Sequence, residues 1–193
     1  MNVFNINLRP FREFLIGAMR LDGYEPFKKP PVNYEPVSEE FRLFCLRGES
    51  AGGWTTAFIR EVRWIFHYSL LLSRVMKDKS VFAVFYASGK CASAKIYRDG
   101  SCLIKAGEDG DSEIPYDPPP ANPYNLKMLS DTVLRREGIK SGVEEAAGKM
   151  DADDVIEADE LINALSLFGA CADREGCEEI WFIRRDSALY LNS

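Results

Sequence analysis

The sequence predicts an α+β protein: a mostly antiparallel sheet, made of a central meander and a C-terminal hairpin, packed around a long buried helix, with a helical segment in the second half. Three observations carry this. Strand-like and helix-like segments come in blocks rather than in alternation, which favours α+β over a parallel α/β sheet. Three consecutive apolar runs, VFAVFY (81–86), CASAKIY (91–97) and CLIKA (102–106), are separated by Ser88-Gly89 and Asp99-Gly100, pairs suited to tight hairpin turns. Residues 54–77, WTTAFIREVRWIFHYSLLLSRVMK, gather their polar positions into one narrow stripe at a period of about 100° per residue and leave the other faces apolar.

The remaining elements follow in chain order. Val3, Phe4, Ile6 and Leu8 alternate with asparagines as in a strand, and Pro10 suits the first turn of a helix running through Phe11, Phe14, Leu15 and Ala18 toward Gly23. Four prolines between Tyr24 and Pro36 predict a surface loop. Phe41–Leu46 reads as a short strand, although Ser38 and the two glutamates after it also fit a helix cap. After the meander, residues 107–124 are acidic and then proline-rich, a linker or long loop between a basic part (1–106) and an acidic part (125–193) of what is expected to be one compact domain. The acidic part predicts helices over 125–137, ended by Gly138, and over 141–149. A third starts at Asp151 as its cap and turns Val155, Ala158, Ile162 and Leu165 inward. IWFI (180–183), a turn at Arg185-Asp186 and ALYL (188–191) predict the closing hairpin.

The net charge of −6 conceals a dipolar chain. Residues 1–105 hold 16 Lys and Arg against 10 Asp and Glu, whereas residues 106–193 hold 8 against 20. No run of eighteen apolar residues occurs, so no membrane-spanning helix is expected, and the polar MNVFNINLRP start lacks a signal-peptide pattern. A cytoplasmic location follows. The five cysteines, at 45, 91, 102, 171 and 177, have no zinc-site spacing and read as reduced thiols; no metal and no cofactor are expected.

One chemical motif occurs. Gly48-Glu49-Ser50-Ala51-Gly52 fits G-x-S-x-G and resembles the nucleophile elbow of α/β-hydrolases of the carboxylesterase type, with a strand expected before it and a helix after it. The resemblance implies Ser50 as nucleophile. It departs from that family in having few residues before the elbow, no His-Gly-Gly stretch and no late histidine, since the sole histidine is His67. Free amides at the start of the Trp54 helix offer a second use for the same loop, an anion site.

Two charged surfaces complete the candidates. Arg60, Arg63, His67, Arg74 and Lys77 form a basic helix stripe able to bind an anion or nucleic acid, although a whole-chain pI near 5.0 speaks against a dedicated nucleic-acid binder. Asp153, Glu157 and Glu160 share one helix face in the acidic part and fail the calcium-loop test, because position twelve from Asp151 is Ile162. The expected function is a non-enzymatic protein-binding module, most concretely an acidic inhibitor or immunity-type protein that blocks a basic protein partner. The alternatives are serine hydrolysis through Ser50 and anion or nucleic-acid binding through the Arg60–Lys77 stripe.

Overall fold

The computed structural model describes residues 1–28, 39–48, 53–59, 64–87, 90–107, 118–151, 154–167 and 176–187. Among these residues eight strands form one antiparallel sheet, with helices on both faces. In chain order the elements are β1 (Asn2–Phe4), α1 (Leu8–Leu21), β2 (Tyr24–Phe27), β3 (Phe41–Arg47), β4 (Trp54–Ile59), α2 (Ile65–Val75), β5 (Ser80–Ala87), β6 (Lys90–Arg98) and β7 (Ser101–Gly107). There follow α3 (Pro123–Leu129), a π-helical turn (Ser130–Leu134), α4 (Arg135–Glu137), α5 (Val143–Gly148), α6 (Ala158–Ala164) and β8 (Glu178–Arg184). The strand order is β2-β8-β3-β4-β1-β5-β6-β7.

Residue alternation along the strands divides the core in two. Phe44, Leu46, Ala57, Val81, Ala83, Tyr97, Ile180 and Phe182 face α1 and α2, which contribute the fully buried Phe11, Leu15, Tyr68 and Leu72. Phe82, Val84, Ile96, Ile104 and Ala106 point the other way, into a core closed by Leu126, Val133, Leu161 and Ile162 of the later helices. Each of the large aliphatic and phenylalanine side chains among these contributes about 1.5–3 kcal/mol by leaving water. Two buried charges tie the layers together. The Glu137 carboxylate, at the end of α4, accepts from the Ser80 hydroxyl (2.6 Å), the Ser80 amide (3.2 Å) and Arg98 Nη1 (2.5 Å). Lys95 of β6 lies beneath α2 with its Nζ 4.3 Å from the Phe66 ring centroid.

The three meander strands are as predicted, and Asp99 and Gly100 both have positive φ, 50° and 76°, which is the turn that matches the twist of a hairpin; the Ser88-Gly89 turn lies outside the described residues. Gly138 ends α4 in the left-handed conformation, also as predicted. Four expectations need correction. The long helix over 54–77 is a strand and a shorter helix. Residues 54–59 form β4, and α2 starts only at Ile65. A central strand buried on both faces is a continuous apolar run, and WTTAFI is rich in the aromatic and β-branched residues that such strands favour. Its two buried hydroxyls are satisfied, Thr55 on the Ile6 carbonyl (2.5 Å) and Thr56 on Asn2 Oδ1 (2.8 Å).

The second correction concerns Tyr24–Phe27, expected in a loop and found as β2. Pro26 is tolerated because, among the described strands, β2 is at the edge and pairs on one side only, with β8. Third, Asp151 caps no helix. Residues 154–157 are not helical, Val155 is exposed, and α6 begins after Glu157, whose amide donates to the Glu160 carboxylate (3.2 Å). Ala158, Ile162 and Leu165 do turn inward. Fourth, residues 180–183 belong to β8, which inserts between β2 and β3 rather than forming the first arm of a terminal hairpin; ALYL (188–191) lies outside the described residues. The opening strand is also shorter than expected, since Asn5 (φ 50°) turns the chain toward α1.

The proline stretch also has a place. Lys105 of β7 donates to the Pro119 carbonyl (2.9 Å) and accepts from Ala121 N–H (2.7 Å), so residues 119–121 lie along the outer edge of β7 and cover part of it. The π-helical turn coincides with Thr132, whose hydroxyl bonds back to the Met128 carbonyl (2.6 Å) and loosens the ladder there.

Gly107 ends β7 with φ 77°, and a Cβ built on it would lie 2.2 Å from the Ala92 carbonyl oxygen. Gly107→Ala is expected to cost about 2–4 kcal/mol in urea unfolding, from backbone strain plus overlap. Gly138→Ala, with similar φ but open space around it, should cost only about 1 kcal/mol.

Candidate functional site

A cleft of about 440 Å³ opens where the end of α1, the start of β2, the start of β3, the start of α2 and the end of β8 converge. Its base is Arg42. In β3 the sequence FRLFCLR alternates, and Arg42 falls on the same face as Phe44 and Leu46, pointing at α2. The residue is 3% exposed. Its Nε donates to the Tyr68 hydroxyl (2.9 Å) and its Nη1 to the Phe41 carbonyl (2.9 Å), while Nη1 lies 3.5 Å from the Glu39 carbonyl. The rings of Tyr24 and Trp64 flank the guanidinium, each with its centroid 5.0 Å from the central carbon. These contacts fix a planar cation in one orientation. Burial pushes the Tyr68 hydroxyl well above the usual tyrosine pKa, against the opposing pull of Arg42, so the phenol stays neutral as an acceptor for Arg42.

The second feature is an Asp–His pair. Asp22 is the C-cap of α1, where the helix dipole is unfavourable to a carboxylate, and His67 Nε2 lies 3.1 Å from its Oδ1. Gly23, with φ 82°, then turns the chain into β2. The His67 ring packs edge-on against Trp64 (5.6 Å) and Tyr68 (5.1 Å). With Nε2 directed at Asp22, the other ring nitrogen, Nδ1, makes no hydrogen bond to any described residue.

The end of β8 forms the far wall. Arg184 holds Asp186 through Nε (3.0 Å) and Nη2 (2.7 Å). That hydrogen-bonded carboxylate chiefly, with Tyr24 and Glu39 contributing, raises the Arg184 pKa above the ordinary arginine value. Arg185 binds the Glu25 carboxylate (3.1 Å) and the Arg20 carbonyl (3.2 Å) at the α1 terminus, and Arg20 takes the other oxygen of Glu25 (2.9 Å). Main-chain bonds from Arg184 N–H to the Glu40 carbonyl and from Arg185 N–H to the Gly23 carbonyl, both 2.9 Å, lock this wall in place.

Of the predicted site residues that are described, only His67 lines this cleft. Arg74 lies about 10 Å further along α2, by the helical rise, and packs its stem over Gly100; Lys77 is exposed beyond the helix end. Arg60, Arg63, Ser50 and Asp153 lie outside the described residues. The helix expected after the G-x-S-x-G segment is absent: residues 48–53 join β3 to β4, two antiparallel neighbours, so the strand–turn–helix frame of an elbow and the amides of a Trp54 helix are not formed. Glu157 and Glu160 sit at the start of α6, which packs on the face of the sheet away from α1 and α2, and Glu160 is engaged in capping. Among the described residues no cluster of His, Cys, Asp or Glu could hold a metal ion. Cys45, Cys102 and Cys177 are half-buried thiols.

Arg42, Asp22, Tyr24, Trp64, Glu39 and Arg184 were missed in the sequence. One signal existed: an arginine on the inward face of an otherwise apolar alternating strand. No protein-family model, curated protein or solved structure matches this chain.

If Arg42 is clamped as described, Arg42→Lys loses the bond to Phe41 and the stacked plane, and should cost about 2 kcal/mol in urea unfolding. His67→Ala, which removes a half-exposed rim contact, should cost less than about 1 kcal/mol in the same assay.

Proposed function

We propose that the protein is a binding protein whose recognition site is this cleft, and that the cleft accepts an anionic group, a carboxylate or phosphate, of its ligand. The observation that carries the reading is Arg42, a planar cation at the base of an open cleft, oriented by Tyr68, the Phe41 carbonyl and two aromatic rings. A guanidinium held in this way is prepared for directional contact with an anion and loses little freedom on binding. His67, a member of the basic stripe expected to bind an anion, also lines the cleft. The thiol state of the described cysteines accords with a reducing, cytoplasmic setting.

The test is a thermal-shift titration with inorganic phosphate, citrate and acetate. An anion at about 100 times its Kd stabilises the fold by about 2.7 kcal/mol, which raises Tm by several degrees. Arg42→Met should abolish the shift, and His67→Ala, which keeps the clamp, should weaken it severalfold. An unchanged response in both variants would remove the cleft as the site.

A second reading keeps the acidic surface as an inhibitor-type docking site for a basic protein. It is favoured by Glu157 and Glu160, both exposed and without an ion pair to any described residue. It predicts a basic partner retained from lysate at low salt and lost at high salt. The triple variant Asp153→Lys, Glu157→Lys, Glu160→Lys should weaken that binding more than tenfold, and unchanged retention would dismiss this reading.

A further inference from the structure

We propose that a slot between β4 and β5 takes the apolar C-terminal tail of a partner protein as an added β-strand. This site shares no residue with the cleft. β1 separates β4 from β5 and is antiparallel to both; its ladders end with the pairs Asn2↔Thr56 and Asn2↔Phe82, beyond which Met1 exchanges two main-chain bonds with Ala57 (3.0 and 2.8 Å). Past Met1, β4 runs on through Phe58 and Ile59 and β5 through Val84 and Phe85, and a slot of about 90 Å³ lies between them. Continued by the same registers, the next position on the β1 line faces Phe58 and Val84, and the one after it faces Ile59 and Phe85. All four residues line the slot, so it continues an existing pair of ladders.

Main-chain groups along a strand turn alternately to its two neighbours. Ala57 turns its N–H and C=O to Met1, so Ile59 turns its own to the same side, into the slot. The Phe82 carbonyl turns to Asn2, so Val84 turns its pair into the slot from the other side. Through these groups neither Ile59 nor Val84 bonds to any described residue, and the two are only 7% and 6% exposed. Buried main-chain groups are nearly always paired, and an extended segment here exchanges two hydrogen bonds with each residue. Direction limits the occupant further. A strand antiparallel to both neighbours runs toward Met1, which already holds the next position, so a chain terminus fits and a through-running segment does not. Its last side chain meets Phe58 and Val84 on one face, and the one before it meets Ile59, Phe85 and Ile65 of α2 on the other. Both are therefore apolar, and the small volume favours Val and Ala.

Fluorescence anisotropy of the full chain with N-terminally labelled Gly-Ser-Thr-Val-Ala, its C-terminus free, tests this. Saturable binding is expected, weakened about tenfold or more when the peptide's Val and Ala amides are N-methylated, and by as much when Gly-Ser-Gly-Ser follows the alanine. If either altered peptide binds as tightly as the parent, or if the parent peptide shows no saturation by about 1 mM, the proposal is overturned. A variant lengthened by Thr-Val-Ala directly before Met1 supplies the strand from its own chain, and it should unfold at a higher temperature and lose the peptide. Unchanged peptide affinity in that variant also overturns the proposal.

Discussion

Asn2 is where two halves of the sheet become one. β1 is three residues long and shares a single register pair with β5, yet it is the only link among the described strands between β4 and β5. The Asn2 side chain reinforces that link in both directions, donating through Nδ2 to the Phe82 carbonyl (3.0 Å) and accepting the Thr56 hydroxyl at Oδ1 (2.8 Å). It is 1% exposed, so each bond is made in a low-dielectric setting where an unmade one would be costly. From this point α1 departs through the Asn5 turn, and α2 joins β4 to β5. The distance between the end of α1 and the start of α2, which sets the Asp22–His67 contact, depends on β1 holding its place.

The cleft is assembled from segments far apart in the chain: residues 22–24, 39–42, 64–67 and 184–186. β8 supplies the last of these, and it reaches its position by inserting between β2 and β3, pairing with both. Such long-range pairings carry a loop-closure entropy cost that local hairpins such as β6–β7 avoid. The cleft thus depends on the β2–β8–β3 pairings, and the main-chain amides of Arg184 and Arg185 bind the Glu40 and Gly23 carbonyls while their side chains hold carboxylates.

What was legible in the sequence follows from how local the determinant is. The Asp99-Gly100 turn, the Gly138 stop and the three meander strands are set by neighbouring residues, and each appears where expected. β4 was misread because burial on both faces erases the period-two signal, and β2 because a proline is compatible with an edge that only the complete sheet defines. Asp151 gave way to Glu157 as the start of α6 because Glu160, three residues on, returns to the Glu157 amide. Of the site, His67 was named but its partner Asp22 was not, since 45 residues separate them and only the packing of α1 on α2 brings them together. No local pattern reports such a contact.

The charge asymmetry of the chain is only partly resolved by folding. Arg98–Glu137 and Arg12–Glu178 join the basic part to the acidic part, but Glu144, Asp131 and Glu145 pair with Arg135 and Lys149 of their own part. Most of these pairs are exposed and contribute little to stability. Arg42 differs in kind. A buried guanidinium bears a desolvation penalty of several kcal/mol, and an apolar residue at the same point of β3 would pack against Phe44, Tyr68 and Trp64 at no such cost. Its bonds to Tyr68 and Phe41 offset part of that penalty and hold the guanidinium in one orientation. An anion entering the cleft would meet a cation whose desolvation is already met, so on the proposed reading binding depends first on Arg42.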